Sequence, residues 1–157
     1  IGCNVGINLK AINTLVPECH LAGIEINKVA IDRLKEWKHD IEVIESSLIG
    51  LNLAKQYELV LTKGVLIHIA PEFIGSAYEA IYRASRRYIA MAEYYSPAPV
   101  EVSYRGYSNK LFKRDFAGEM LKNYTDLELI DYGFLYHGDP AFPQDDINWF
   151  LLKKKGM

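Results

Sequence analysis

The chain has 157 residues, of which 50% are hydrophobic and 24% are charged, and its formal net charge is −2. This length is typical of one domain, and the ample apolar content excludes intrinsic disorder as the main state. Nucleic acid is not expected as a partner, because a pI near 6.1 gives no net positive charge to attract phosphates. A membrane is not expected either, because no apolar run approaches the length of a membrane span.

Apolar residues recur with a period near 3.6 in some segments and a period of two in others, which predicts alternating helices and strands. Helices are predicted over residues 5–16, 28–38, 71–82 and 113–124. Strands are predicted over residues 21–26, 41–45, 57–62, 88–93, 127–136 and 147–152, and a loop over residues 96–109. Asn27 is expected to cap the second helix, and Pro71 is expected to open the third, where proline is tolerated.

This alternation predicts one α/β domain over residues 1–157, built on a doubly wound, mostly parallel sheet. No helix separates the last two strands, so they are expected to add an antiparallel pair at one edge. The first helix has no strand before it. In a doubly wound sheet that strand would be central, and we expect it to lie outside this sequence.

A glycine-containing turn precedes the first predicted helix. Gly2, Asn4 and Gly6 form the pattern G-x-N-x-G, in which glycine allows sharp turns and close approach of a ligand. The amide groups at the start of the helix favour anionic or electron-rich ligand groups. A dinucleotide fingerprint would need a third glycine at Ile7, and a P-loop would need Gly-Lys-Ser/Thr, so neither pattern is present.

An acidic residue stands at the end of the next predicted strand. Glu25 lies 19 residues after Gly6, and a carboxylate at about that distance can accept hydrogen bonds from ribose hydroxyls. The alternative is a solvated acid at a strand end. Glu45, Ser46 and Ser47 follow the neighbouring strand, where they could form an ordinary serine-containing turn.

Two segments near the middle of the chain favour a substrate site. In residues 63–69 (KGVLIHI), His68 could orient an acceptor or take its proton near neutral pH, or it could be a semi-buried structural histidine. Residues 92–115 leave a strand at its carboxyl end, where open α/β sheets bind ligands. They interleave tyrosines with Arg105 and Arg114, which suit carboxylate or phosphate, although a solvated surface loop is the alternative.

No metal is predicted. Cys3 and Cys19 form no pair with metal-ligand spacing, and with no signal peptide visible a cytoplasmic location is expected. The loop before the last strand could close the same pocket as residues 92–115. It also carries four conceivable metal ligands, although loops of this composition are more often polar turns. They are His137, Asp139, Asp145 and Asp146.

Taken together, these stretches resemble class I S-adenosylmethionine (AdoMet) methyltransferases. More narrowly, the chain resembles the pseudaminic acid biosynthesis-associated methylases of bacteria. The resemblance is carried by IGCNVGINLKAIN, GIEINKVAI, LVLTKGVLIHIAPE, YEAIYRASRRYIAMAEYYSPAPVEVSYRG, LFKRDFAGEM and YGFLYHGDPAFPQDDINWFLLKK. It implies a Rossmann-like methyltransferase fold, AdoMet as cofactor, and a small polar acceptor such as a sugar acid or sugar nucleotide of nonulosonic acid pathways.

The resemblance also implies roles for individual residues. The expected cofactor contacts are Gly2, Cys3, Asn4, Gly6, Glu25, Ile26, Ser46, Ser47, Lys63, Gly64 and Val65. The expected proton acceptors are His68 and Glu93, and the expected acceptor-binding residues are Tyr94, Tyr95, Tyr104, Arg105 and Arg114. A non-catalytic AdoMet-binding module and a nicotinamide-dependent oxidoreductase are the alternatives. The oligomeric state is not predicted.

Overall fold

Helices and strands alternate along the chain in a computed structural model, which describes residues 1–104 and 107–156, without the side chains of residues 104 and 107–110. The chain divides into two units, Ile1–Leu51 and a second one that begins at Asn52. Each unit is described below by itself. The single domain over residues 1–157 stays a prediction.

The first unit holds a parallel pair of strands with two helices. Its elements are α1 (Ile7–Leu15), β1 (Ala22–Glu25), α2 (Lys28–Trp37) and β2 (Glu42–Glu45). Ile24 pairs with Ile44 and Glu25 with Glu45, so the carboxyl ends of the two strands are level. A small apolar core is formed by Cys3, Leu9, Leu34 and Ile41.

The start of α2 confirms the predicted cap. The side chain of Asn27 accepts hydrogen bonds from the amides of Val29 and Ala30, which have no partner within the helix. Helix α1 begins differently, because Gly6 precedes it with φ +82° and gives no side-chain cap. The backbone therefore enters α1 through a left-handed residue rather than through an Asx or Ser/Thr cap.

The second unit contains a four-stranded sheet, a hairpin and two helices. Its strands are β3 (Tyr57–Lys63), β4 (Ser85–Glu93), β5 (Val100–Tyr104), β6 (Tyr107–Lys113), β7 (Leu127–Leu135) and β8 (Ile147–Lys154). Its helices are α3 (Ile74–Ala84) and α4 (Phe116–Asn123), with 3₁₀ turns at Leu66–His68 and Pro71–Phe73. The sheet order is β3-β4-β8-β7. Strands β3 and β4 are parallel, whereas β8 is antiparallel to both β4 and β7. This confirms the predicted antiparallel pair at the edge.

Three predicted segments differ in detail from the structure. Residues 96–109 were expected to form a loop, but β5 and β6 make an antiparallel hairpin there. The helix expected over residues 113–124 begins only at Phe116, because Lys113 still belongs to β6 and the side chain of Asp115 caps the helix by accepting from the amide of Gly118. Pro71 opens a 3₁₀ turn that leads into α3 rather than opening the helix itself.

A buried lysine fastens the last strand to a helix end. Lys154 donates from Nζ to the carbonyl oxygens of Tyr82 and Ser85, both at 2.7 Å, at the C-terminus of α3. Its ammonium also lies 3.8 Å from the centroid of the Tyr82 ring. Burial lowers the pKa of Lys154 below its ordinary value. Because a buried ammonium needs partners, this strand and this helix are held in a fixed relation.

Within the described ranges, the longest helix has 11 residues, and none is long and apolar enough to cross a membrane.

Candidate functional site

The glycine turn at the start of the first unit is tight and lies against β1. Gly2, Asn4 and Gly6 all have positive φ, at 61°, 48° and 82°. The Gly6 amide donates to the Cys3 carbonyl at 2.9 Å, and the Cys3 amide donates to the Ile24 carbonyl at 3.1 Å. Asn4 occupies the left-handed region, which asparagine tolerates better than most residues. Asn4 therefore fits this tight turn although it is not a glycine.

Two glycines let this turn pack closely. A Cβ on Gly6 would lie 2.8 Å from Cδ1 of Leu34 in α2. A Cβ on Gly23 would lie 2.6 Å from the sulfur of Cys3. Real Cβ atoms do not approach other atoms this closely, so both positions need glycine for space. Burial of Cys3 raises the pKa of its thiol, which keeps it a neutral packing group.

Glu25 lies beside the glycine turn, as its spacing predicted. Its Oε2 accepts from the amide of Asn4 at 2.8 Å, and its Oε1 accepts from the amides of Ile26 and Asn27 at 2.9 Å each. A carboxylate has about four acceptor positions, and these three amides use three of them. Glu25 is thus fixed by backbone donors and can accept one further donor at Oε2.

The residues after β1 and β2 complete this edge of the first unit. Ile26 is 68% exposed, which leaves an apolar side chain next to the Glu25 carboxylate. The amide of Ser46 donates to the Glu25 carbonyl, and the hydroxyl of Ser46 donates to the Ser47 carbonyl. The Ser47 hydroxyl accepts from the Ile49 amide at 3.1 Å. Both serines therefore shape a local turn.

In the second unit, residues 63–65 form a turn at the carboxyl end of β3. Gly64 has φ +62°, and its amide donates to the Ala92 carbonyl at 3.0 Å. The amide of Val65 donates to both carboxylate oxygens of Glu93 at 3.1 Å. Lys63 donates from Nζ to the side-chain oxygen of Gln144 at 3.4 Å.

Glu93 is a buried carboxyl at the end of β4. Only 2% of its surface is exposed. Desolvation raises its pKa to about 7, against the lowering effect of the amides of Val65, Leu66 and Ile67. It therefore holds the start of the first 3₁₀ turn, on which His68 is exposed. The proton-acceptor roles expected for His68 and Glu93 stay predictions.

The expected acceptor-binding residues are only partly described. The hydroxyl of Tyr94 donates to Asp145, and the ring of Tyr95 packs against Phe150 with centroids 6.2 Å apart. Nε of Arg114 donates to Glu119 at 2.8 Å, and only 15% of the arginine side chain is exposed. The side chain of Tyr104 and the whole of Arg105 lie outside the described residues.

A cavity of about 340 Å³ lies beside the β5–β6 hairpin. This volume is within the range of small-molecule sites. Its charged lining residues are of both signs: Glu72, Glu101, Lys113 and Arg114. The apolar part of the lining is Pro71, Pro99, Val100 and Phe112. The Ser96 amide donates to the carbonyl of Arg114, a lining residue. This bond joins the segment that follows β4 to one wall of the cavity.

A histidine–aspartate pair lies in the loop between β7 and β8. The ring Nδ1 of His137 lies 2.9 Å from both carboxylate oxygens of Asp146. The sequence suggests that this stretch could close the pocket and presents these residues as conceivable metal ligands, but it does not predict that His137 and Asp146, nine positions apart, form a pair. Among the described side chains, no group of three or more His, Cys, Asp or Glu is placed to hold a metal ion.

Comparison with known proteins finds no matching family model and no matching curated protein. It does find solved structures with the same fold. TehB from Haemophilus influenzae has a TM-score of 0.70 at 19% identity, over 98% of this chain. The 1,6-didemethyltoxoflavin-N1-methyltransferase of Burkholderia thailandensis, with bound 1,6-didemethyltoxoflavin and S-adenosylhomocysteine, has a TM-score of 0.75 at 12% identity over 98% of this chain.

A third similar structure is the O-methyltransferase from the trans-AT PKS multienzyme of Brevibacillus brevis, in complex with S-adenosylhomocysteine. Its TM-score is 0.73, at 13% identity over 98% of this chain. The chain has the Rossmann-like fold of these methyltransferases. It spans 56% of the length of TehB, 68% of the Burkholderia enzyme and 65% of the Brevibacillus enzyme. The α/β prediction is thereby confirmed.

Proposed function

We propose that the protein is a methyltransferase that uses AdoMet and acts on a small polar acceptor. The observation that carries this proposal is the Glu25 carboxylate, held 2.8 Å from the amide of Asn4 in the glycine turn. One acceptor position on Oε2 suits a ribose hydroxyl, and the positive-φ residues leave space for close approach of a ligand. Two solved structures of the same fold contain S-adenosylhomocysteine, which supports this assignment.

Further residues are proposed as contacts to AdoMet. Ile26 offers an exposed apolar side chain to the face of an adenine ring, and Ser46 and Ser47 form the turn at the end of β2. Residues 63–65 are also proposed as cofactor contacts, because the sequence resemblance implies them. AdoMet supplies an electrophilic methyl group, so this chain mainly needs to bind and orient the acceptor.

The acceptor proposed is an anionic sugar derivative, such as a nonulosonic acid related to pseudaminic acid or its nucleotide-activated form. The cavity beside the hairpin supports this choice. Lys113 and Arg114 offer positive charge for a carboxylate or phosphate, whereas Glu72 and Glu101 offer acceptors for sugar hydroxyls. The sequence resemblance to pseudaminic acid-associated methylases supports the same class.

The cofactor proposal is tested by thermal melting with S-adenosylhomocysteine and, as a control, NADH. Ligand at about 100 times its dissociation constant adds roughly 2.7 kcal/mol to stability, which raises the melting temperature by several degrees. Glu25→Gln removes a charged acceptor and should weaken binding at least about tenfold. Glu36→Gln, on the exposed side of α2, is the matched control and should bind as the wild type does.

Stabilisation by NADH instead of S-adenosylhomocysteine would replace this proposal with the oxidoreductase alternative. A cooperative melt that neither ligand shifts would reject the proposed cofactor. Unchanged binding by Glu25→Gln would show that the carboxylate does not contact the ribose.

The acceptor proposal is tested by transfer of labelled methyl from AdoMet to a panel of nonulosonic acids and sugar nucleotides. For an acceptor that is methylated, Lys113→Ala should raise KM about tenfold or more, because it removes a charge-assisted contact. Lys122→Ala, at the exposed end of α4, should leave KM unchanged. Tight S-adenosylhomocysteine binding without transfer to any panel member would favour a non-catalytic binding module.

A further inference from the structure

The loop between β7 and β8 is fastened over the carboxyl ends of β3 and β4. Lys63, the last residue of β3, donates to Gln144 at 3.4 Å, and Tyr94, just after β4, donates to Asp145. The pairing of Leu135 with Ile147 closes the base of the loop. Open α/β sheets bind their ligands at this end of the strands.

Within this loop, His137 and Asp146 form an oriented pair. Asp146 accepts both from the backbone amide of His137 and from its ring Nδ1, each at 2.9 Å. The amide and then the imidazole of His137 lower the pKa of Asp146, so the carboxylate is ionised at neutral pH. An ionised carboxylate only accepts, so Nδ1 carries the proton and Nε2 of the neutral ring is left with its lone pair.

Tyr136 and Lys113 are neighbours of the His137–Asp146 pair. Tyr136 holds the imidazole in place, and Lys113 connects the pair to the cavity. The ring of Tyr136 contacts the imidazole edge-on, with centroids 4.7 Å apart. Lys113 lines the cavity, lies 5.3 Å from the centroid of the Tyr94 ring, and its charge also lowers the pKa of Asp146. The His137–Asp146 pair and the cavity therefore share Lys113 as a neighbour.

We propose that His137, oriented by Asp146, is the base that takes the proton of the methyl acceptor. This inference rests on the proposed function. The acceptor O–H bond breaks, and Nε2 of His137 receives the proton. The oxygen electron pair forms the new bond to the methyl carbon as the carbon–sulfur bond breaks, and the electrons of that bond remain on sulfur as neutral S-adenosylhomocysteine. The imidazolium is stabilised by the Asp146 carboxylate and then releases its proton to water.

The surroundings of His137 differ from those of Glu93, one of the two proton acceptors that the sequence predicts. Glu93 is 2% exposed and already accepts from backbone amides. The His137 side chain is 63% exposed, and its carboxylate partner fixes the tautomer that a base requires. General bases of this kind contribute about 100-fold or more to rate.

The first test follows the imidazole nitrogens by NMR in the full chain, with His137→Gln used to assign the signal. A base for the acceptor lies next to the methyl group and the sulfonium. The His137 signal should therefore differ between the AdoMet and S-adenosylhomocysteine complexes, which differ by one methyl group and one charge. Asp146→Asn should shift the tautomer away from the Nδ1–H form, whereas Asp139→Asn, in the same loop, should not.

Identical His137 signals in the two complexes would overturn the inference while leaving the cofactor assignment intact. Failure of S-adenosylhomocysteine to bind the wild type, measured by calorimetry, would instead overturn the proposed function and the inference with it. The two failures are therefore distinguishable without a known acceptor.

The second test measures turnover with an acceptor that the panel identifies. His137→Gln should lower kcat by about 100-fold or more with the affinity for S-adenosylhomocysteine unchanged. Asp146→Asn, a positioning residue, should lower kcat by about tenfold or more. Asp139→Asn should keep the wild-type rate. A kcat for His137→Gln within about threefold of the wild type would overturn the role as base.

Discussion

Glu25 and Glu93 are carboxylates with the same kind of partner and opposite surroundings. Each stands at the end of a strand and accepts from backbone amides. Glu25 lies in a partly exposed turn, so a ligand can reach its remaining acceptor position. Glu93 is buried, and the hydrogen bonds that it accepts from backbone amides hold the start of the first 3₁₀ turn in place. Two acids at strand ends can therefore differ in how accessible they are to a ligand.

The buried position of Glu93 predicts a pH dependence of stability. Its pKa is raised from 4.5 to about 7, so between these values the folded chain binds a proton that the unfolded chain does not. Raising the pH from about 4.5 to about 7 should therefore lower the free energy of unfolding, by up to about 3 kcal/mol for a shift of this size. Denaturant unfolding at a series of pH values measures this slope.

Glu93→Gln should remove this part of the pH dependence, because the amide side chain does not titrate. Glu79→Gln, in an exposed i,i+4 pair with Arg83, should keep it. A wild-type stability that rises with pH across this window, or an unchanged slope in Glu93→Gln, would contradict the burial-based assignment.

Sequence reasoning predicts the position of Glu25 relative to the glycine turn and misses the burial of Glu93, for a physical reason. The spacing from Gly6 to Glu25 is set by the length of one helix between a turn and a strand. The sequence alone therefore predicts where Glu25 lies. The burial of Glu93 depends on packing of elements that are distant in sequence. The amides of residues 65–67 that surround it come from a turn almost 30 positions earlier.

At the scale of elements, the glycine turn depends on two separate properties of its glycines. Gly6 needs a positive φ and also has no room for a Cβ against Leu34. Gly50 has a positive φ of 73° but open space around it. Gly75, in α3, has neither a positive φ nor a close neighbour. These three positions separate backbone strain from crowding.

Alanine at each of these positions should therefore have a different effect on the free energy of unfolding. Gly50→Ala should cost about 1 kcal/mol, from strain alone. Gly6→Ala should cost about 2–4 kcal/mol, because overpacking against Leu34 is added. Gly75→Ala should be neutral or stabilising by up to about 1 kcal/mol. Chemical denaturation of the three variants gives the comparison, and equal losses at Gly6 and Gly50 would rule out the crowding.

Local signals predicted the elements well where one face of a segment is clearly apolar. The Asn27 cap and the strands at residues 57–63 and 127–135 follow from side chains within the segment. The β5–β6 hairpin was missed because Pro97, Pro99 and Gly106 favour a loop. The alternation of Val100, Glu101 and Val102 was the available signal, but a hairpin is stabilised by its cross-strand partner, here Leu111 opposite Val102.

At the scale of the whole molecule, the Rossmann-like fold was predictable because it depends on the order of elements. The proposed acceptor site was only partly predictable, because it depends on contacts between distant residues. Lys63 and Gln144 are 81 positions apart, and Tyr94 and Asp145 are 51 positions apart. The sequence named Tyr94 and Arg114 as candidates and suggested that residues 136–146 could close the same pocket, but it did not predict these two contacts.

The place of β8 in the four-stranded sheet has a consequence for synthesis on the ribosome. Strand β8 lies between β4 and β7, and it pairs with both along most of its length. Since translation runs from the N-terminus, β4 and β7 emerge while the strand that joins them is still unmade. Until residues 147–154 leave the exit tunnel, the nascent chain presents open strand edges, which invite aggregation. Completion of this sheet therefore waits until residues 147–154 have emerged.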